Sequence, residues 1–201
     1  MTTYPDKTTA EQTLRWALDK NPGRWGNHCK TVARAARTIA KAAGMNADKL
    51  EVLGLLHDIG RYVGFVDFRH IAAGYDLMME KGWTDVALAC LTHSFPYQHI
   101  EAYNGKIDVG QDEYERFSEL LKKVKYNDEL RLIQLCDALC LPDRVTVVEV
   151  RLMEVALRYG VSDTSVPKWR AFLDIKKDFD RKCGQNLYQL FREEISDSLF
   201  I

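Results

Sequence analysis

The stretch Leu55-Leu56-His57-Asp58-Ile59-Gly60 decides how this chain is read. It ends an apolar helical run of Leu50, Leu53, Leu55 and Leu56, and it sets a histidine and an aspartate where the next core residues would stand. His57 shares a helical face with Leu50, Leu53 and Gly54. An imidazole carried on such a face points into the core, so it needs a polar partner there.

The same reading extends outward to three more histidines. His28 shares a face with Val32, Ala35 and Ile39; His70 with Ala73, Gly74 and Leu77; His93 with Val86, Ala89 and Cys90. Asp137 shares one with Leu130, Ile133 and Cys140. Five ionisable groups on five helices therefore point to the apolar side, and Asp58 stands beside one of them. A lone histidine of this kind is more often a hydrogen-bonded core residue than a ligand. Six such groups are another matter. Each buried polar group without a partner costs roughly 1–3 kcal/mol, against a total stability of about 5–15 kcal/mol. Sharing cations is the economical solution. Imidazole and carboxylate donors suit iron, manganese, cobalt, nickel or zinc; Mg²⁺ alone would call for fewer histidines.

The rest of the chain reads as helix nearly throughout. Thr8 with Glu11, and Thr9 with Gln12, form capping boxes for a first helix that Asn21-Pro22-Gly23 stops. A second helix covers 24–43 and ends at Gly44; Asn46 caps a third, which Gly60 closes. Asp67 caps a fourth that ends near Gly82, and Thr84 a fifth that ends near His93. Residues 94–110 read as a long loop of functional type. Helices follow over 111–124, 128–140, 143–159, 167–183 and 185–195, with Pro142 and Pro167 in first turns. The β-branched run 145–150 favours a strand locally, but it runs straight into a helical pattern and is read as helix. No repeat or linker interrupts the chain. The expectation is an all-α bundle of one domain over 1–201, its metal-site core at about 24–143 and helices 144–201 packed on it.

Composition narrows the function. With 46% hydrophobic and 28% charged residues the 201-residue chain is ordinary globular material. A formal net charge of −1 gives no field to draw in nucleic acid, so no stable nucleic-acid binding is expected. A small phosphorylated substrate needs only a local positive pocket. The five cysteines are odd in number and lack a C-x-x-C pair, which argues against a disulfide framework and a thiolate zinc site. Cys136 and Cys140 read as buried small hydrophobes. Residues 2–12 are polar, unlike a signal peptide, and no apolar run reaches the ~20 residues of a membrane span. A cytoplasmic protein is expected.

At this point the chain resembles a known family. His57-Asp58-Ile59-Gly60 reads as the HDIG motif of the HD superfamily, His28 stands upstream, and Leu135-Cys136-Asp137-Ala138-Leu139 is similar to the family's terminal aspartate segment. His70 and His93 fill the two added places of its dinuclear branch, so that the order H…HD…H…H…D is complete. The resemblance covers about 24–143. It implies a metal-dependent phosphohydrolase that cleaves a phosphate ester or anhydride, best a nucleotide, with two divalent metals sharing a hydroxide. His28 and Asp137 would hold one metal and His57, His70 and His93 the other, with Asp58 bridging. The motif order is similar to that of HD-type diadenosine tetraphosphate hydrolases; the GYP motif of the cyclic-dinucleotide branch is absent. Rival readings are an HD-type diiron oxygenase of a small polyol or phosphonate, and a non-catalytic nucleotide-binding regulatory module. Arg61, directly after the motif, is the first candidate for a catalytic and substrate-binding cation. Arg24 and Arg144 are further phosphate-binding candidates. His99 is a candidate proton donor, and Tyr97 and Phe95 are candidates for stacking on a base.

Overall fold

The computed structural model describes residues 2–199 and bears out the all-α expectation: the described residues form ten α-helices and three short 3₁₀ turns. In α1 (Lys7–Lys20) the cap is Asp6, whose carboxylate accepts from the Thr9 amide at 2.7 Å. Thr8 and Thr9 lie inside the first turn, because an aspartate one step earlier already satisfies the free amide. In α3 (Ala47–Leu56) Asn46 caps as its residue type predicts, at 3.1 Å from the Lys49 amide. The largest helix–helix interface joins α3 to α2 (Trp25–Ala42). Gly54 permits it: a Cβ there would sit 2.9 Å from Ala33 Cα.

The second pair is α4 (Arg69–Glu80) on α5 (Thr84–Thr92). Neither starts on its predicted cap. The Asp108 carboxylate reaches across from the 94–110 segment to the Asp67 and Arg69 amides, at 2.8 and 2.7 Å, and does the work assigned to Asp67. Thr84 is the first residue of α5 and makes no side-chain cap. Segment 94–110 contains one 3₁₀ turn, Ile100–Ala102, and folds onto α6 (Gln111–Lys123) around a satellite core of Phe68, Phe95, Ile100, Phe117 and Leu121. Buried Gln134 pins it by donating to the Thr92 and Phe95 carbonyls at 3.1 and 3.0 Å.

Helix α7 (Asp128–Asp137) stops at the aspartate itself, three residues short of Cys140. A turn follows, closed by Leu141 N to Arg144 O at 2.9 Å and Thr146 N to Leu139 O at 2.8 Å, with an isolated bridge between Cys140 and Val145. Helix α8 (Val148–Tyr159) therefore starts later than predicted, since the local β preference of Val145-Thr146-Val147 wins there. Pro142 belongs to that turn. Pro167 does occupy the first turn of α9 (Ser165–Cys183), which ends on left-handed Gly184 at φ 66°. Residues 185–195 divide into a 3₁₀ turn, Leu187–Phe191, and the start of α10 (Arg192–Leu199). One buried cluster runs from Ala10 and Leu14 of α1 to Phe179, Phe191 and Ile195, so the C-terminal helices pack on the core built by α2, α3 and α7. All five cysteines are free, four of them buried. No helix among the described residues is long and apolar enough to cross a membrane.

Gly60 is not a helix stop. It lies in the 3₁₀ turn Ile59–Val63, and a Cβ on it would fall 1.9 Å from the His70 carbonyl oxygen and 2.4 Å from Gly74 N. Only glycine lets this turn touch α4. Gly60→Ala is expected to cost about 3 kcal/mol or more, because both obstacles are backbone. Gly44→Ala, at φ 69° in open space, should cost only about 1–2 kcal/mol. Urea unfolding of the two variants checks this; equal losses would contradict the close approach.

Candidate metal centre

Helix ends and the turn after α3 put the six predicted groups in one place. His28 lies in the second turn of α2, on its buried face. His57 follows the last residue of α3, and at Asp58 the backbone leaves the helix (φ −106°, ψ 15°) for the 3₁₀ turn. His70 sits in the first turn of α4, His93 just past α5, and Asp137 at the last residue of α7. The four histidines and Asp58 are buried; Asp137 is half-buried.

Three histidines are oriented by one device. The ring Nδ1 of each donates to the carbonyl three residues earlier: His57 to Gly54 at 2.7 Å, His93 to Cys90 at 2.8 Å, and His70 to Asp67. A carbonyl only accepts, so the proton is on Nδ1 and each Nε2 presents a lone pair inward. His70 Nε2 and His93 Nε2 face each other at 3.3 Å. In their neutral forms these are two acceptors with no proton between them. Asp58 Oδ1 lies 3.1 Å from His70 Nε2 and 3.5 Å from His93 Nε2, yet is buried without a hydrogen-bond donor. His57 Nε2 is likewise buried and unpartnered. Such orphans fit a divalent ion, which accepts lone pairs from all of them.

The donors fall into two sets, His28 with His57 and Asp137, and Asp58 with His70 and His93; within each, the ligand atoms lie within 4.8 Å of one another. The sequence reading expected His57 to join His70 and His93; here Asp137 Oδ1 is 2.9 Å from His28 Nε2 and 3.7 Å from His57 Nε2, which groups His57 with them. The sets adjoin, since the His57 ring centroid lies 5.3 Å from that of His28 and 5.1 Å from that of His93.

The electrostatics suit cation ligation. Burial opposes ionisation of Asp58, but the charge of Arg61 and the contact with His70 outweigh it and hold the carboxyl well below the usual carboxylate range. Burial likewise opposes ionisation of Asp137, and the hydrogen bond from His28, with the His57 ring nearby, outweighs it and holds the carboxyl well below the usual carboxylate range. Burial pushes His93 down to about 3, which leaves its ring neutral. His57 is desolvated too, but Asp137 and Asp58 more than offset that and raise it.

These groups lie along a cavity of about 290 Å³ that His28, Asp58, Arg61, His70, His93 and Asp137 line, with Trp25 and Tyr103 beside them. Arg61 donates from Nε to Asp58 Oδ2 at 2.5 Å. Helices α8 and α9 supply a further wall that sequence reasoning missed: Arg151, Arg158, Tyr159, Lys168 and Phe172. Lys168 is 4% exposed, donates to the Ala102 carbonyl at 2.8 Å, and is pushed down to about 8 by burial. The signal available was a lysine on the apolar stripe of Phe172, Ile175 and Phe179. Four other candidates are not brought to the cavity. Arg24 is exposed just before α2. Arg144 sits in the turn after α7, 3.6 Å from the Asp143 carboxylate. Tyr97 donates its hydroxyl to the Thr164 carbonyl at 3.3 Å, and exposed His99 lies beside it. Tyr97 and His99 miss it because their part of segment 94–110 turns toward Thr164, with Phe95 as a buried plug rather than a stacking platform, while Ser94, Tyr103 and Asn104 of the same segment do line the cavity.

The comparisons with known proteins agree with this geometry. No curated protein and no solved structure matches the chain. The family model of the HD domain matches residues 25–141, more than half of the chain, a span that runs from the start of α2 to just past α7 and includes all six clustered residues. The chain belongs to the HD domain family.

Proposed function

We propose that the protein is a dinuclear metal-dependent phosphohydrolase that cleaves a phosphate ester or anhydride of a nucleotide. HD domains are generally metal-dependent phosphohydrolases. The observation that carries the dinuclear reading is the 3.3 Å approach of His70 Nε2 to His93 Nε2 beside the orphaned Asp58 oxygen. In this reading His28, His57 and Asp137 hold one divalent ion, and Asp58, His70 and His93 the other. The donor chemistry favours iron, manganese, cobalt, nickel or zinc. When bound, such ions supply Lewis acidity and make water a competent nucleophile at neutral pH.

The chain's own residues do the rest. Arg61 fixes the Asp58 carboxylate in its anionic form and adds positive charge to the cavity. Lys168, protonated below about pH 8, offers its ammonium to phosphoryl oxygens. Trp25, held by Nε1 to the Asn21 carbonyl at 2.9 Å, and Tyr103 present aromatic surface that a nucleobase can cover. Leu152, Val155 and Phe172 keep one wall dry.

Two outcomes are expected. Chelator-treated protein should release no phosphate from a nucleotide panel, Mn²⁺ or Fe²⁺ should restore release, and His70→Ala should lower the rate about 100-fold or more. Turnover indifferent to both treatments would contradict the reading; iron-dependent O₂ uptake without phosphate release would move the protein to the oxygenases.

The second outcome concerns Lys168. Unfolded, it titrates near about 10.4; folded, at about 8. Below about 8 both states hold the proton, and the fold bears the full cost of the buried ammonium. Between the two values the unfolded chain binds more protons, so stability rises with pH, by on the order of 3 kcal/mol. Lys168→Met should lack that rise in urea unfolding from about pH 7.5 to about pH 10. Identical pH dependence in parent and variant would contradict it.

A further inference from the structure

Helix α8 carries a charged device that the metal chemistry does not use. Arg151, Glu154 and Arg158 stand three and four residues apart on one face of the helix. Glu154 receives a guanidinium on each oxygen, Arg151 Nη1 on Oε2 and Arg158 Nη2 on Oε1. Two cations thus share one anion, and the trio keeps a net positive charge. Arg151 Nε is buried and has no hydrogen-bond partner. Arg151 and Arg158 line the same cavity as His28, Asp58, His70, His93 and Asp137, whereas Glu154 does not. Helix α8 packs chiefly against α9 and carries none of the six, so the pair belongs to a wall separate from the metal groups.

A desolvated guanidinium donor calls for an anion, and the planar fork matches phosphate oxygens two at a time. In the phosphohydrolase reading, the charge of the phosphoryl group being cleaved falls to the ions, Arg61 and Lys168. The arginines on α8 are left for a second anionic group on the same molecule. Resting on the phosphohydrolase reading for what happens at the metals, we propose that Arg151 and Arg158 form an anion subsite that selects substrates with a second phosphate besides the one hydrolysed. Glu154 is a positioning residue that splays the two guanidiniums and holds them at the cavity. The subsite lies beyond the 25–141 span common to the family, which fits a role in choosing among substrates rather than in the shared chemistry.

The test is equilibrium binding, which does not depend on turnover. Propylphosphonate and a series of alkane-α,ω-bisphosphonates of three to six carbons, none of them hydrolysable, are titrated calorimetrically into the Mn²⁺-loaded full chain. At least one bisphosphonate should bind about tenfold tighter or more than propylphosphonate, the order expected of added charge-assisted contacts. Arg151→Gln/Arg158→Gln should reduce that preference to within about twofold, and Arg151→Lys/Arg158→Lys should keep part of it, since charge remains without the fork. Arg158→Gln alone, at a side chain 53% exposed, is the variant that folding tolerates best; it should lower the preference about threefold or more. A parent with no preference at any chain length overturns the subsite, as does a preference that survives in Arg158→Gln and in the double glutamine variant. Failure of the phosphohydrolase reading shows separately, as absent metal-dependent phosphate release, and leaves the bisphosphonate comparison intact.

Discussion

Two imidazole nitrogens held lone pair to lone pair, 3.3 Å apart beside a buried carboxylate oxygen that accepts nothing, are the interaction on which the rest of this molecule turns. The backbone enforces the confrontation. Each ring spends its Nδ1 proton on a carbonyl three residues upstream, so neither can turn its donor inward without losing that bond. The surrounding fold exists in a form that makes this arrangement reachable: five helices end or turn at the site, and Gly60 brings the 3₁₀ turn after α3 against the backbone of α4. A divalent cation held there would turn the conflict into coordination, and its binding would add to the stability of the fold itself.

The helical class and the six clustered residues were legible because periodicity and burial are local signals. Each histidine announced itself by standing on an apolar stripe. What periodicity does not carry is the direction of the chain after a helix ends. His57 and Asp58 are neighbours in sequence, but the backbone bends between them, and His57 faces Asp137 while Asp58 faces His70 and His93. The same limit explains the caps. Asp108 occupies a role assigned to Asp67 because a tertiary contact from some forty residues away is invisible to a four-residue pattern. At 143–147 the helical reading failed where β-branched residues followed their own preference into a turn.

The cavity wall was the least legible part. Arg24, Tyr97, His99 and Arg144 were singled out by closeness in sequence to the motif residues, but segment 94–110 packs much of its length onto a satellite core and brings Ser94, Tyr103 and Asn104, rather than Tyr97 and His99, to the cavity. The wall comes from α8 and α9, whose arginines and lysine look like solvated charges until the tertiary fold turns them toward the cavity. The molecule thus divides its labour along the chain. The family span holds the six clustered groups, and the later helices line the cavity beside them with charges and apolar surface that the proposed substrate would meet.

The central claim is that the six residues are the ligands of two adjacent ions, grouped as the geometry groups them. Anomalous diffraction from crystals soaked in Mn²⁺ tests it most directly. The account predicts two peaks about 3.5–4 Å apart, one among His28, His57 and Asp137 and one among Asp58, His70 and His93. A single peak, or a peak at which His57 coordinates together with His70 and His93, would contradict it.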